Sequence, residues 1–301
     1  MQDDPRRRVQ AADTGFPFVP SEAFATPRGT PYLREPGAHL LAKPQVSLES
    51  MRSFLEGFSP ELRFAEYLDD PITIEPGAQI CKVAGQLCYA SFAPRRSTNA
   101  DADRYFRNMK ESGHGSVLEH ANFTFLFYGI SRSVTHELVR HRAGMGYSQL
   151  SQRYVSGHVL RFVERPEYVD DPELHAAFEE RIDRAAEDYE RIAQALIERQ
   201  KGGSEILSGE AKRDLRKKVQ QTARSVLPNE TEAPIVVTGN SRAWRHVIEM
   251  RANPHAETEI RAALFNVYLC LSAVDPILFG DYEAAKAPDG TWVVEGGFRK
   301  V

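Results

Sequence analysis

Between Arg140 and Tyr154 the chain reads RHRAGMGYSQLSQRY, and these residue types suit the binding of a phosphate-bearing ligand. Arg140, His141 and Arg142 close an apolar-periodic segment. Cations at a helix C-terminus gain roughly 0.3–1 kcal/mol each from the dipole, so RHR alone is explained structurally. The residues after it ask for more. Gly144 and Gly146 permit positive φ or close backbone approach. Ser148, Gln149, Ser151, Gln152 and Arg153 then crowd donors and acceptors around Tyr147. A phosphate wants this mixture of guanidinium, hydroxyl and bare backbone N–H in one loop.

Four further segments carry chemistry-bearing side chains. GHGSVLEH places His114, Ser116, Glu119 and His120 within seven residues, just before an aromatic run. TARSVLP closes a helical pattern on Arg224, and NSRAWRH opens another with Asn240, Arg242 and His246. The start of a helix offers N–H groups to an anion, although Asn240 and Ser241 also serve as plain caps. MRANPHA sets Arg251 at a helix break, where an arginine can be aimed into a cleft. Trp244 has the character of a core residue.

Two motif-like strings fail on geometry. His136 and His141 bracket a near-HExxH with one residue too many, which turns the two rings about 140° apart around a helix instead of stacking them. Zinc binding is therefore not expected. Gly144-Met145-Gly146 lacks the third glycine and the preceding strand of a dinucleotide fingerprint. Ser151 has no GxSxG elbow, and no cysteine stands in an activating motif. With no activated nucleophile, the chemistry falls to a bound cofactor that the protein orients and polarises. Residue chemistry alone reaches a phosphate-rich nucleotide or cofactor site built from separated segments. Another flavin or nucleotide-phosphate enzyme, and a nucleotide- or RNA-binding module, use the same side chains. A net charge of -4 and a pI near 6.2 argue against the RNA reading, which calls for a basic face.

The elements that position these residues follow from periodicity. Residues 1–46, rich in Pro, Gly, Arg and Ala, show no sustained apolar period and are expected to be poorly ordered or surface-wrapping, outside the core. Residues 47–285 form one continuous patterned domain, and 286–301 a C-terminal tail. Helices are expected over 101–112, from a Ser131 cap through His141, from Pro172 onward, up to Leu227, from a Ser241 cap through Met250, and from Pro254 to about Asp275. ANFTFLFY (121–128) and PIVVT (234–238) have strand character. Helices joined to a few separated strands predict an α+β fold, not a Rossmann-like alternation. No apolar run approaches the roughly 18–20 residues of a membrane span. MQDDPRRRVQ lacks the apolar stretch of a secretory signal, and three cysteines without CxxC spacing suit a reducing cytoplasm.

Taken together, RHR followed by S-x-R-Y, with GHGSVLEH, TARSVLP, NSRAWRH and MRANPHAETEIR in that order, resembles the flavin-dependent thymidylate synthase family over about residues 75–281. The resemblance implies an α+β subunit with a central antiparallel sheet flanked by helices, in a homotetramer whose active sites are shared between subunits. It implies conversion of dUMP to dTMP with methylenetetrahydrofolate as carbon donor, FAD as hydride carrier and NADPH as reductant. Carried over position by position, Arg140, His141 and Arg142 match flavin contacts, with Arg140 also near the nucleotide. Gln149, Leu150, Ser151, Gln152 and Arg153 match the dUMP loop, in which Ser151 and Arg153 reach the phosphate and Gln149 also meets the flavin. Glu137, Arg224 and Arg251 match further dUMP contacts, and Arg251 the residue that stabilises charge developing on the pyrimidine. His114, Ser116, Glu119, Asn240, Arg242, His246 and Ser91 match flavin-lining positions. One departure stands out: eight residues, Ala143 to Leu150, separate RHR from Ser151 where the family has seven.

Overall fold

The aromatic run at 122–128 lies in the middle of a six-stranded antiparallel sheet. A computed structural model describes residues 4–12, 15–154, 159–201 and 209–298. In chain order the strands are β1 (Gln10–Ala11), β2 (Pro17–Val19), β3 (Ala23–Ala25), β4 (Pro31–Leu33), β5 (Gly37–Ala42), β6 (Asn122–Tyr128), β7 (Met145–Gln149), β8 (Phe162–Val163), β9 (Ile235–Asn240), β10 (Tyr282–Lys286) and β11 (Trp292–Gly296). The helices are α1 (Arg52–Glu56), α2 (Pro76–Leu87), α3 (Ala102–Glu111), α4 (Arg132–Leu138), α5 (Pro166–Val169), α6 (Pro172–Lys201), α7 (Gly209–Ala223), α8 (Ser241–Arg251), α9 (Thr258–Val274) and α10 (Pro276–Phe279). The main sheet runs β1-β2-β5-β6-β9-β7, every neighbouring pair antiparallel. The α+β expectation with a helix-flanked antiparallel sheet holds.

Period-two alternation explains why β6 is central. Phe123, Phe125 and Phe127 are buried on one face, while Asn122, Thr124, Leu126 and Tyr128 point to the other. The buried face meets Trp244 of α8, whose ring stands edge-on to Phe125 at 5.3 Å. Beside α8 runs α9, which also packs against β2 and β5, apolar on nearly all sides and buried along most of its length. A helix hydrophobic all round belongs in a core.

Four local expectations are corrected. The segment before residue 47 is not outside the core: β2 and β5 extend the main sheet, and Val19, Leu33, Ala38 and Leu40 are buried. Its strands are short, and β4 and β5 pair with β8 and β6 far along the chain, so no local period reveals them. The 145–149 stretch, expected as a polar loop, is edge strand β7 on β9, held by backbone pairing. The cap of α8 is Asn240, whose Oδ1 accepts from Ala243 N–H at 2.8 Å. Ser241 instead donates to the carbonyl of Leu118. Finally, α9 starts at Thr258, capped by Glu257, so Pro254 lies in the turn that separates α8 from α9. No described helix is long and apolar enough to cross a membrane.

Candidate functional site

The RHR segment is mounted by groups on both sides of it. Ser131 caps α4, and the buried Glu259 accepts from the Ser131 N–H at 2.6 Å and its hydroxyl at 2.7 Å. That carboxylate, also contacted by Arg165, fixes where α4 begins. The helix ends at Leu138, and Arg140, His141 and Arg142 lie on the turn beyond it. There the Tyr147 hydroxyl of β7 sits within donating distance of the Leu138 and His141 carbonyls. Burial pushes the Tyr147 phenol up to about 12, so it remains a donor across the neutral range.

Gly144 turns the chain from RHR into β7. Its φ is +70°, and a Cβ there would come within 2.6 Å of Asn240 Nδ2. The Gly144 carbonyl also accepts from Asn240 N–H at 3.2 Å. The YSQLSQRY that follows continues as strand β7 and the loop after it.

Arg251, the last residue of α8, ties the site together. Its Nε donates to His141 Nε2 at 2.9 Å, and Nη1 donates to Glu137 Oε2 at 2.8 Å. To accept from a guanidinium, His141 must be unprotonated at Nε2, which places its proton on Nδ1. Burial, then the nearby Arg251 charge and His246, hold the His141 pKa below the ordinary imidazole value. The His246 ring stands edge-on at 5.8 Å. Three residues expected from sequence thus form one connected unit.

A second unit joins the GHGSVLEH segment to α8. Gly115–Glu119 is a 3-10 turn, and Glu119 pairs with Arg242 at 2.6 Å. Ser241 N–H to the Ala121 carbonyl, at 2.7 Å, fixes the same junction. His114, Ser116 and Glu119 lie at the surface beside it, as do Arg140 and Arg142 on theirs. Neither Arg140 nor Arg142 forms a side-chain hydrogen bond or ion pair with a described residue.

The loop after β7 is the third unit. Gln149 ends the strand opposite Ile235, and Leu150 N–H bonds to the Pro234 carbonyl at 2.8 Å. Arg153 N–H approaches Ser151 Oγ at 3.3 Å, and Arg132 donates to Gln152 Oε1 at 3.2 Å. Gln152 Nε2 and Arg153 Nε are buried without a partner among the described residues. A buried polar group left unpaired costs about 1–3 kcal/mol. Two donors in that state, in a loop with Ser151, fit an acceptor-rich ligand.

Two expected members stand apart. Arg224 opens a 3-10 turn after α7 and has no side-chain partner among the described residues; its neighbour Leu227 lines a small crevice with Leu150 and Gln152. Ser91 lies beyond the end of α2, its N–H bonded to the Gln86 carbonyl, and makes no hydrogen bond to the other units among the described residues. A concavity of about 910 Å3 between α6 and α7 meets the site only beside Arg153, at Tyr154, so one chain supplies walls more than an enclosure. Tyr147, Glu259 and Arg132 were not anticipated as site-forming residues. Each acts through a contact that no local motif encodes.

The model of the family described as thymidylate synthase complementing protein matches residues 72–277. The chain belongs to this family. A flavin-dependent thymidylate synthase from Mycobacterium sp. (strain JLS) is 46% identical over 222 residues, covering 73% of this chain and 85% of the relative. Its counterpart from Mycolicibacterium gilvum (strain PYR-GCK) is 45% identical over 221 residues, 72% and 84% of the two chains. The protein of the same name from Mycobacteroides abscessus is 45% identical over 218 residues, again 72% and 84%. In this member of the thymidylate synthase complementing family, every candidate site residue falls inside the matched span. Residues 1–71, with β1 to β5, and the β10–β11 hairpin lie outside it.

Proposed function

We propose that this chain is a flavin-dependent thymidylate synthase, converting dUMP to dTMP with methylenetetrahydrofolate as carbon donor and NADPH as reductant. The observation that carries this reading is the Glu137–Arg251–His141 unit, a guanidinium aimed by two acceptors with one terminal nitrogen left unpaired among the described residues.

The donor set suits FAD. Arg140 and Arg142, cationic and without described partners, answer its pyrophosphate. His141, His114, Ser116, Glu119, Asn240, Arg242, His246, Gln149 and Ser91 are the residues that would hold the rest. When bound, FAD supplies hydride-carrying capacity that no side chain here possesses. The protein's own part is positional and electrostatic. Ser151, Arg153 and Arg224 hold the dUMP phosphate, with Arg140, Gln149, Leu150 and Gln152 completing the pocket. A uracil ring reacting at C5–C6 gathers negative charge toward its carbonyl oxygens. Arg251 stabilises that charge without surrendering a proton, because a guanidinium stays protonated in water and protein alike. No protein nucleophile is required, and Ser151 acts as a phosphate and positioning contact.

We place four such chains in one assembly with shared sites. Support comes from the exposed ring of site residues and from the outer face of the sheet, where Asn122, Thr238 and Ser148 are open. The compartment proposed is the cytoplasm, which suits the free thiols of Cys81, Cys88 and Cys270. Tritium release from 5-³H-dUMP with NADPH and methylenetetrahydrofolate tests the function directly. Protein that takes up no FAD and releases no tritium would overturn it.

A further inference from the structure

The turn after Arg251 is held from outside the matched family region. Ala252 O, one residue past Arg251, accepts from Val294 N–H of β11 at 2.8 Å. Two residues further, Arg261 takes over. Its Nη2 donates to the carbonyls of Pro254 at 2.9 Å and Ala256 at 2.7 Å, the last part of the α8–α9 turn. Its Nη1 donates to Asp289 Oδ2 and Thr291 Oγ1, both in the turn of the β10–β11 hairpin. Asp289 in turn accepts from Thr291 N–H and hydroxyl, which closes the hairpin loop around the guanidinium. The hairpin itself is anchored by Trp292 stacked on Phe265 of α9 at 5.8 Å, with interplanar angle 9°, and by buried Val293. Asn253 completes the collar by donating to the Glu249 and Met250 carbonyls at 2.9 and 2.8 Å.

A carbonyl in such a turn is an acceptor needing a partner once buried. One planar guanidinium serves two of them and two hairpin oxygens together, a geometry that the single ammonium of a lysine does not reproduce. The result is a rigid brace from a C-terminal hairpin to the end of the helix bearing Arg251.

We infer that Arg261 is a positioning residue for the reaction, and that the β10–β11 hairpin acts through it and through the Val294–Ala252 bond to set the reach of Arg251. The inference rests on the role proposed for Arg251. Misplacement of a catalytic group by about 1 Å can cost up to a hundredfold in rate, so a loosened brace has a measurable signature.

Two variants test it: Arg261→Lys, which keeps the charge and loses the fork, and the double change Asp289→Asn with Thr291→Val, which leaves Arg261 in place and weakens its hairpin end. Each is purified as full chain with FAD, and kcat, dUMP KM, FAD content per chain and melting temperature are measured. The expected result is a kcat lower by about tenfold or more, with dUMP KM within about threefold and FAD content unchanged. A second readout is independent of turnover. Burial, then the Arg251 charge and His246, hold the His141 pKa below the ordinary imidazole value, and Glu137 faces Arg251 from the other side. NMR titration of ¹³C-labelled histidine should show the His141 resonance titrating at higher pH in both variants. Unchanged kcat per bound FAD together with an unmoved His141 titration would overturn the inference and leave the hairpin a stabilising element only. If Arg251→Ala retains full turnover while Arg261→Lys still moves His141, the brace stands and the role given to Arg251 falls.

Discussion

Arg251 Nε and His141 Nε2 lie 2.9 Å apart across 110 residues of sequence, and the bond makes one unit of two segments. His141 belongs to the turn expected to meet the flavin, and Arg251 to the helix end expected to meet the pyrimidine. Because His141 accepts, a change in its protonation is felt at Arg251. Because Glu137 holds Nη1 at 2.8 Å, the guanidinium has little freedom to follow a rotated ring. The proposed cofactor and substrate contacts are therefore coupled before either ligand arrives.

Replacement of Arg251 by alanine removes the donor proposed to face the reacting ring and leaves the arginines of the proposed flavin site in place. Turnover in the tritium-release assay is expected to fall by about 10²–10³, the usual cost of losing one preorganised donor to developing charge. Flavin absorbance near 450 nm, an approximate position for the cofactor's own chromophore, should persist at wild-type stoichiometry. Loss of the flavin band instead would move Arg251 into a cofactor-binding role.

Activity should have an acid limb set by His141. In the folded chain its pKa is held below the ordinary imidazole value, so the ring is neutral at neutral pH. The unfolded chain binds this proton more readily, so the contribution to stability is complete above the ordinary imidazole pKa. It is lost as pH falls through the depressed folded value. Below that point the protonated ring repels Arg251 and can no longer accept from it. His141→Gln retains an acceptor that does not titrate, and its kcat should decline less steeply in acid. Superimposable acid limbs for the two proteins would assign the titration to another group.

Ser151→Ala tests whether the serine attacks or merely holds. Its Oγ already lies 3.3 Å from Arg153 N–H, in a loop where two buried donors lack partners among the described residues. A hydrogen bond to a charged group contributes about 1.5–3 kcal/mol, so dUMP KM should rise by about tenfold or more while catalysis at saturation survives. Abolished turnover with normal dUMP affinity, measured by calorimetry, would restore a nucleophilic serine.

Much of this arrangement was legible because it is local. The Phe123, Phe125, Phe127 alternation marks a half-buried strand, Ser131 marks a helix start, and arginines at 140, 142, 224, 242 and 251 stand out as candidate anion contacts before any contact between them is known. What was not legible depends on pairing at a distance. β7 has a glycine and a serine on its open face and looks like a loop until β9 supplies its hydrogen bonds. The strands before residue 47 run for two to six residues and gain their burial from β6, β8 and one another. Tyr147, Glu259 and Arg261 are ordinary residues by type, and only folding brings their polar atoms to the carbonyls and amides they serve. The order of the blocks conveyed the family, but the wiring among its residues had to be seen.

Gly144, in the turn between RHR and β7, and Gly146, within β7, give a paired prediction, since the two glycines differ in what they permit. Gly144 has φ +70° and would place a Cβ 2.6 Å from Asn240 Nδ2, with the Ala243 methyl at 3.1 Å. A non-glycine residue held in a sparsely populated region costs about 1–3 kcal/mol before any clash. Asn240 cannot retreat freely, because its Oδ1 caps α8 and its N–H holds the Gly144 carbonyl. Gly146 has ordinary strand φ, and its added Cβ would meet nothing closer than the Thr238 carbonyl at 4.0 Å. Gly144→Ala should therefore lower the melting temperature by several degrees, at about 2–4 °C per kcal/mol for a chain near this size, and weaken FAD retention through Asn240. Gly146→Ala should match the parent in both. Equal effects of the two substitutions would show that Gly144 is not the constrained position here.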